Sequence, residues 1–309
     1  FPDSKNSGVI ADAFDKGSYI KVIPEEQTIV GYTTRNSGGV PENFRNWFVM
    51  KFDRPFESVQ VYNGKDAVSG NEFEGEHALA AVKFATRRGD KVNVAVASSF
   101  ISLEQAYTNL REVEGKDLEA VKADAKARWN DILGRIEVSG GSTDQYRTFY
   151  SCLYRSTLFP RKFYEIDKNG KILHYSPYNG KVCEGYMYTD TGFWDTFRAL
   201  FPLLNLVYPS INKEIQLGLV NIAKENPFLP EWASPGHRGC MVGNNSASVV
   251  ADAIMKGVST EDLDTLYRAI VYGTEHVHPQ VNSSGRLGHE YYNTLGYIPY
   301  DVGTVSYTH

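Results

Sequence analysis

Residues 116–133, KDLEAVKADAKARWNDIL, are where the hydrophobic period of the chain changes. Leu118, Val121, Ala125, Trp129, Ile132 and Leu133 recur at three- and four-residue spacing, interleaved with charges, and predict a helix with one apolar face. Upstream of it the period is two. Short alternating or apolar runs at residues 19–23, 28–31, 47–52, 58–62, 78–84 and 91–98 are separated by turn residues, the pattern of an antiparallel β domain. Asn36-Ser37-Gly38-Gly39-Val40-Pro41 is a loop by composition, and Arg87-Arg88-Gly89-Asp90 predicts a tight turn between two strands.

Downstream, Gly140-Gly141-Ser142 breaks the chain, and Ser142, Thr143 and Asp144 offer N-caps for a helix over 145–159 that Pro160 ends. A long loop rich in Tyr, Gly and Lys is expected over 161–185. Helical spacing returns at 193–207, 210–224, 240–257 and 260–275, with Pro or Gly at the joints and Ser259 or Thr260 capping ahead of Glu261 and Asp262. We therefore expect a β domain over 1–114, a linker helix within 115–140 and paired helices over 141–309. Periodicity alone describes a helical bundle as well as an α-hairpin barrel.

With 309 residues and 42% hydrophobic content the chain can bury a substantial core, and its length favours two domains. A formal charge of −5 without a basic stripe argues against nucleic acid and anionic membranes as partners. No run approaches the roughly eighteen apolar residues that span a bilayer, and Phe1-Pro2-Asp3-Ser4-Lys5 lacks the regions of a signal peptide. Cys152, Cys183 and Cys240 have neither CxxC nor Cys/His spacing, which argues against a disulfide framework and a zinc site and leaves buried thiols as the default. His276 and His278 with His289 do not have the usual zinc spacing either, and no DxDxDG loop for calcium appears. No complete metal site is expected in this chain. Gly8, Gly17, Gly38 and Gly39 form no nucleotide-binding pattern.

The chemistry concentrates in Tyr188–Arg198, YTDTGFWDTFR, which sets aromatics, carboxylates and a guanidinium at the start of a helix. Aromatic faces stack on the C–H faces of a pyranose while carboxylate and guanidinium groups pair with its hydroxyls. On these residues alone, the simpler reading makes Trp194 and Phe197 core and pairs Asp195 with Arg198 at i, i+3. Glu231-Trp232 and Pro235-Gly236-His237-Arg238 add an aromatic, a His and an Arg on one helix-to-helix loop.

Taken in order, GYTTR at 31–35, FVMKFDRPF at 48–56, YTDTGFWDTFRALFPLLNLVYPS at 188–210, LPEW at 229–232, GCMVGNNSASVVADAIMKG at 239–257 and YYNTLGYIP at 291–299 resemble glycoside hydrolase family 92. That resemblance implies a calcium-dependent, inverting exo-α-mannosidase built from an N-terminal β-sandwich and a C-terminal (α/α)6 barrel. On this reading the chain is a fragment comprising the sandwich and the first part of the barrel. It stops at Val305-Ser306-Tyr307-Thr308-His309, ahead of the blocks that hold the family's acid, base and most calcium ligands. No catalytic residue is therefore expected among Asp190, Asp195, Glu231 and Glu290. Trp194, Asp195, Arg198, Trp232 and, secondarily, His237 are assigned to holding the terminal sugar. Asn245 stands where the family is expected to have His, so it keeps hydrogen bonding but loses titration. The implied partners are mannose-containing glycans or glycoproteins with terminal α-linked mannose, α-1,2 first, and the implied location is outside the cytoplasm of a bacterium. The alternative is a non-catalytic carbohydrate-binding or structural piece. A different (α/α)-barrel enzyme is a third reading, and the WDTFR and ADAxxKG blocks weigh against it.

Overall fold

Alternation in the N-terminal third becomes two antiparallel sheets in the computed structural model, which describes residues 1–241, 243–281 and 283–302. The nine strands are β1 (Ser4–Asp12), β2 (Ser18–Ile23), β3 (Thr28–Thr33), β4 (Asn46–Phe52), β5 (Ser58–Asn63), β6 (Asp66–Val68), β7 (Glu72–Gly75), β8 (Ala78–Thr86) and β9 (Val94–Ser99). One sheet runs β7-β2-β3-β4-β9 and the other β1-β8-β5-β6. A single core draws on both: Ile20, Ile29 and Phe52 from the first, Val61, Val82 and Phe84 from the second. Ala78, Ala80, Val82 and Phe84 are all fully buried because every second residue of β8 points to that core. Each such Val, Ile or Phe contributes about 1.5–3 kcal/mol by burial.

β3 is buried without alternation at Thr28, Ile29, Val30 and Gly31. The cause is a helix that the period-two reading passes over, α1 (Leu103–Leu110), whose Leu103, Ala106, Tyr107 and Leu110 pack against Val30 and Val49. Ser102 caps it by accepting a hydrogen bond from the Gln105 amide at 3.1 Å. The expected turn at 87–90 is present, closed by the Asp90 amide on Arg87 O at 3.1 Å, with Gly89 at φ 91°. By contact density this unit comprises residues 1–37, 42–117 and 165–171, and the rest, including residues 38–41, form a second unit.

The second unit carries α2 (Leu118–Leu133) and α3 (Thr143–Ser156). The period change at residue 116 does mark a helix, yet none of its residues is buried, and Leu118 is 73% exposed. Its apolar side is covered only in part: Trp129 meets Tyr154 of α3 at 4.6 Å, and Tyr208 donates to Ile132 O at 3.1 Å. At α3 the predicted cap is a capping box, Ser142 and Gln145 satisfying each other's backbone amides. The expected 161–185 loop is instead short strands: β10 (Arg161–Lys162), β11 (Tyr164–Ile166), β12 (Ile172–Tyr175) and β13 (Val182–Glu184). β14 (Tyr188–Thr189) pairs with β10, and β15 (Thr191–Gly192) pairs with β16 (Trp232–Ala233).

The remaining helices are α4 (Phe193–Thr196), α5 (Leu200–Val207), α6 (Pro209–Glu225), α7 (Asn245–Met255), α8 (Leu263–Glu275) and α9 (His289–Leu295). α6 opens on Pro209, whose missing N–H costs nothing at that position, and buries Ile215, Leu219 and Ile222 at helical spacing. A ladder of side chains ties three helices together. Gln216 donates to Asn212 Oδ1 at 3.3 Å, Asn212 to Asn205 Oδ1 at 2.6 Å, and Asn205 to Asp252 Oδ2 at 2.8 Å. Asp252 is the acid of the ADAxxKG block and also accepts from Lys256 at 2.9 Å. Residues 303–309, on which the reading of the C-terminal stop rests, lie outside the described residues.

Candidate active site

Two short strands and one turn of helix assemble the candidate site. Gly192 on β15 faces Trp232 on β16, and the Phe193 amide donates to Glu231 O at 2.9 Å, which starts α4 where the strand pair ends. A Cβ on Gly192 would stand 2.2 Å from the Trp232 ring and 3.0 Å from Asp195 Oδ2. The indole therefore lies directly on the strand backbone beside the Asp195 carboxylate, and glycine is required for that approach. Asp195 is exposed and its side chain makes no hydrogen bond or ion pair among the described residues. Arg198 does not pair with it. Its guanidinium stacks on the rings of Trp194 at 4.5 Å and Phe197 at 4.7 Å, which fixes the fork of an exposed residue. Phe193, 2% exposed against Phe201, and Tyr188, 7% exposed, are the core members of the block.

The other two acids at this end are engaged. Asp190, at φ 60° between β14 and β15, accepts from Arg161 Nε at 2.6 Å and from Arg161 Nη2, and its second oxygen accepts from Ser234 Oγ at 2.8 Å. Glu231 is 1% exposed and caps α7 from outside that helix. Its carboxylate accepts from the Asn245 amide at 2.9 Å, Asn245 Nδ2 at 3.4 Å, the Ser246 amide at 3.3 Å and Ser246 Oγ at 2.8 Å. Burial pushes its carboxyl up to about 7, and the hydrogen bonds from Ser246 and Asn245 oppose that rise. Asn245, which replaces the expected His, is thus spent on holding this cap.

His237 bridges to Ala233, next to Trp232, but its ring packs on Tyr178 and His278. It is 8% exposed, Asn226 donates to its Nε2 at 2.6 Å, and Nδ1 lies 3.1 Å from Ser284 Oγ. Because Asn226 Nδ2 also donates to Phe228 O, the acceptor role falls to Nε2 and the ring is neutral. Burial, then the neighbouring His278, hold it down at about 3. Gly39 packs on its carbonyl so closely that a Cβ there would be 2.1 Å from His237 O. His237 therefore fixes the loop between β16 and α7, with no ring nitrogen free for a hydroxyl.

Local spacing finds Trp194, Asp195 and Arg198 because they lie within five consecutive residues. It cannot find the Glu231 cap, whose partners lie fourteen residues on, nor the need for Gly192 beneath an indole from another strand. For metals, calcium takes six to eight oxygen ligands. Among the described residues one group of three His, Cys, Asp or Glu donors converges, His174, Cys183 and Glu225, and its nitrogen and sulfur do not fit calcium.

Residues 1–99 match the glycosyl hydrolase family 92 N-terminal domain and residues 105–309 the family's catalytic domain. Among solved structures, the chain is similar to the family GH92 inverting mannosidase BT2199 from Bacteroides thetaiotaomicron VPI-5482. The two are 47% identical with a TM-score of 0.92, over 95% of this chain and 40% of that one. The α-mannosidase BT3965 of Bacteroides thetaiotaomicron, solved with mannoimidazole, is 26% identical with a TM-score of 0.83, over 97% of this chain and 40% of that one. An uncharacterized secreted glycosidase of Arthroderma benhamiae is 29% identical over 216 residues, 68% of this chain and 23% of the fungal protein. The chain thus spans about 40% of the length of these bacterial enzymes and less of the fungal one. No helix among the described residues is long and apolar enough to cross a membrane. Two antiparallel sheets, the helices that follow them and the matched domains lead to one conclusion: this chain belongs to glycosyl hydrolase family 92.

Proposed function

We propose that this chain supplies the terminal-sugar grip of an exo-acting α-mannosidase that inverts configuration, with the helices of its second unit forming the first part of an (α/α)6 barrel. The observation that carries the reading is the open Asp195 carboxylate, which with the Trp232 indole lies against Gly192, three residues ahead of an Arg198 fork stacked on Trp194. Those groups match what a mannose ring offers: hydroxyls for the carboxylate and guanidinium, and C–H faces for the indoles. Inversion needs two carboxyl groups roughly 6.5–9.5 Å apart. Asp190 is ion-paired and Glu231 is a buried cap, so neither is free for that work. By family resemblance the acid and base are assigned to residues outside this chain, in a protein of its relatives' length. Calcium enters the proposal through family membership alone, and extracytoplasmic glycans with terminal α-1,2-mannose are the proposed substrates.

Saturation-transfer NMR of the 309-residue chain with methyl α-mannoside tests the grip. Transfer to the sugar is expected from the unaltered chain and not from a folded Asp195→Ala variant, and equal transfer from both would reject the assignment. In a catalytically complete protein carrying this chain, Asp195→Ala is expected to raise KM and lower kcat together, at a cost of about 2–4 kcal/mol in kcat/KM. Release of mannose from α-1,2-mannobiose by the 309-residue chain itself, with calcium present, would move the acid and base back into it.

A further inference from the structure

Away from the sugar site, the β12–β13 hairpin sets His174 directly opposite Cys183, so both side chains stand on one face of the hairpin. Glu225, the last residue of α6, meets that face with Oε1 2.8 Å from His174 Nε2. The ligand atoms of the three residues all lie within 4.8 Å of one another. His174 is fully buried, and its Nδ1 lies 2.8 Å from Gly185 O. A carbonyl can only accept, so Nδ1 carries a proton, while Nε2 faces Glu225 across a second, shared proton that must leave before Nε2 can bind a metal. The bond from Nδ1 to a carbonyl is how metal-binding histidines are oriented from behind.

Two further observations point to a missing occupant. The Glu225 side chain is 8% exposed, yet its Oε2 is buried without a hydrogen-bond partner. Tyr178 Oη is likewise buried and unpartnered, in the field of the Glu225 carboxylate. Buried polar atoms are rarely left this way, and a cation is one of the partners that would satisfy the carboxylate.

We propose that His174 Nε2, Cys183 Sγ and Glu225 form a three-ligand site for a zinc ion, with a water molecule at the fourth position. A nitrogen, a thiolate and a carboxylate suit zinc in tetrahedral coordination at about 2.0–2.3 Å, and the sulfur disfavours calcium and magnesium. Cys183 is half-buried, which gives the ion an approach from solvent. Burial and the Glu225 charge hold the Cys183 thiol protonated. Binding therefore replaces two protons with the metal, the thiol's and the one between His174 and Glu225, and both leave to solvent for each zinc bound. The 2.8 Å contact between His174 and Glu225 opens as the ion enters.

Cobalt(II) substitution tests the site on the full 309-residue chain after treatment with chelator and reductant. The expected result is one Co2+ per chain, with visible ligand-field bands of a tetrahedral ion and a near-ultraviolet thiolate-to-cobalt charge-transfer band, both bleached by equimolar Zn2+. Cys183→Ser, conservative and half-exposed, should abolish the charge-transfer band and weaken binding at least tenfold while leaving the circular dichroism unchanged. A Cys152→Ser, Cys240→Ser double variant, altering the two exposed cysteines, should keep both bands. Absence of the charge-transfer band at excess Co2+, or its persistence in Cys183→Ser, would overturn the proposal and leave a hydrogen bond that fastens the hairpin to α6.

Discussion

The β unit and the helical unit bury their apolar residues to different extents. In the first, β8 sends Val82 and Phe84 to full burial between sheets of the same unit. In the second, Leu206 of α5 is 81% exposed, Met255 of α7 84%, and neither α2 nor α9 has a buried residue. The helical unit also buries Phe193, Phe201, Ile222 and Leu266, and it adds polar connections that the sheets lack, the side-chain ladder and the Glu231 cap. Apolar packing tolerates exchange of like for like, whereas polar connections depend on particular atoms and on pH.

The sharpest way to break this contrast is by truncation. Phe84→Ala is expected to cost about 3–5 kcal/mol, through lost burial and the cavity left behind, read as a lower urea midpoint of the β unit's transition. A loss below about 1 kcal/mol would mean that the two sheets do not share one core.

Next in size is a pH effect confined to the helical unit. Glu231 has its carboxyl raised from 4.5 to about 7, so the folded state holds the proton more tightly than the unfolded one. Its contribution is fully present below pH 4.5 and is lost as pH rises through about 7. Between those limits the natural chain should lose about 3 kcal/mol more stability than Glu231→Gln, measured as denaturant midpoints across the pH series. Parallel pH profiles for the two proteins would remove Glu231 as the cause.

At the small end, Leu206→Ser should change stability by no more than about 0.5 kcal/mol, because that side chain is already in water. A larger loss would place Leu206 in contact with something in solution.

Strands β2 and β8 were legible because their buried residues alternate, and β4 and β5 because they are short apolar runs between turns. β1 was not, since only Ser7 and Ala11 of SKNSGVIAD are buried and neither reads as a core signal. Helix α1 was hidden because eight residues give barely two turns of periodicity. The apolar side of α2 was visible as a pattern, but a pattern states what a helix can bury and does not supply the surface to bury it against. In the candidate site, Trp194, Asp195 and Arg198 could be read together because they lie within five consecutive residues. Gly192 under Trp232, Asn226 on His237 and the hairpin pair His174 and Cys183 could not, because contact between elements is decided by their packing and leaves no trace in spacing.

The ladder from Gln216 through Asn212 and Asn205 to Asp252 acts as an indexing device for the helices it joins. Leucines in those places would interlock nearly as well after a slide of one helical turn, about 5.4 Å, since one methyl surface resembles the next. Amides do not permit that. Asn212 meets one acceptor on α5 and Asn205 one on α7, so another alignment of α5, α6 and α7 leaves buried amide groups unmatched. The helix that carries Asp252 is the one whose first turn receives the Glu231 carboxylate, and Glu231 is bonded to Trp232 in the chain. A mismatch of one rung would therefore carry the indole away from Gly192, so the fit of the indole on the strand is set deep among the helices by side chains that touch neither.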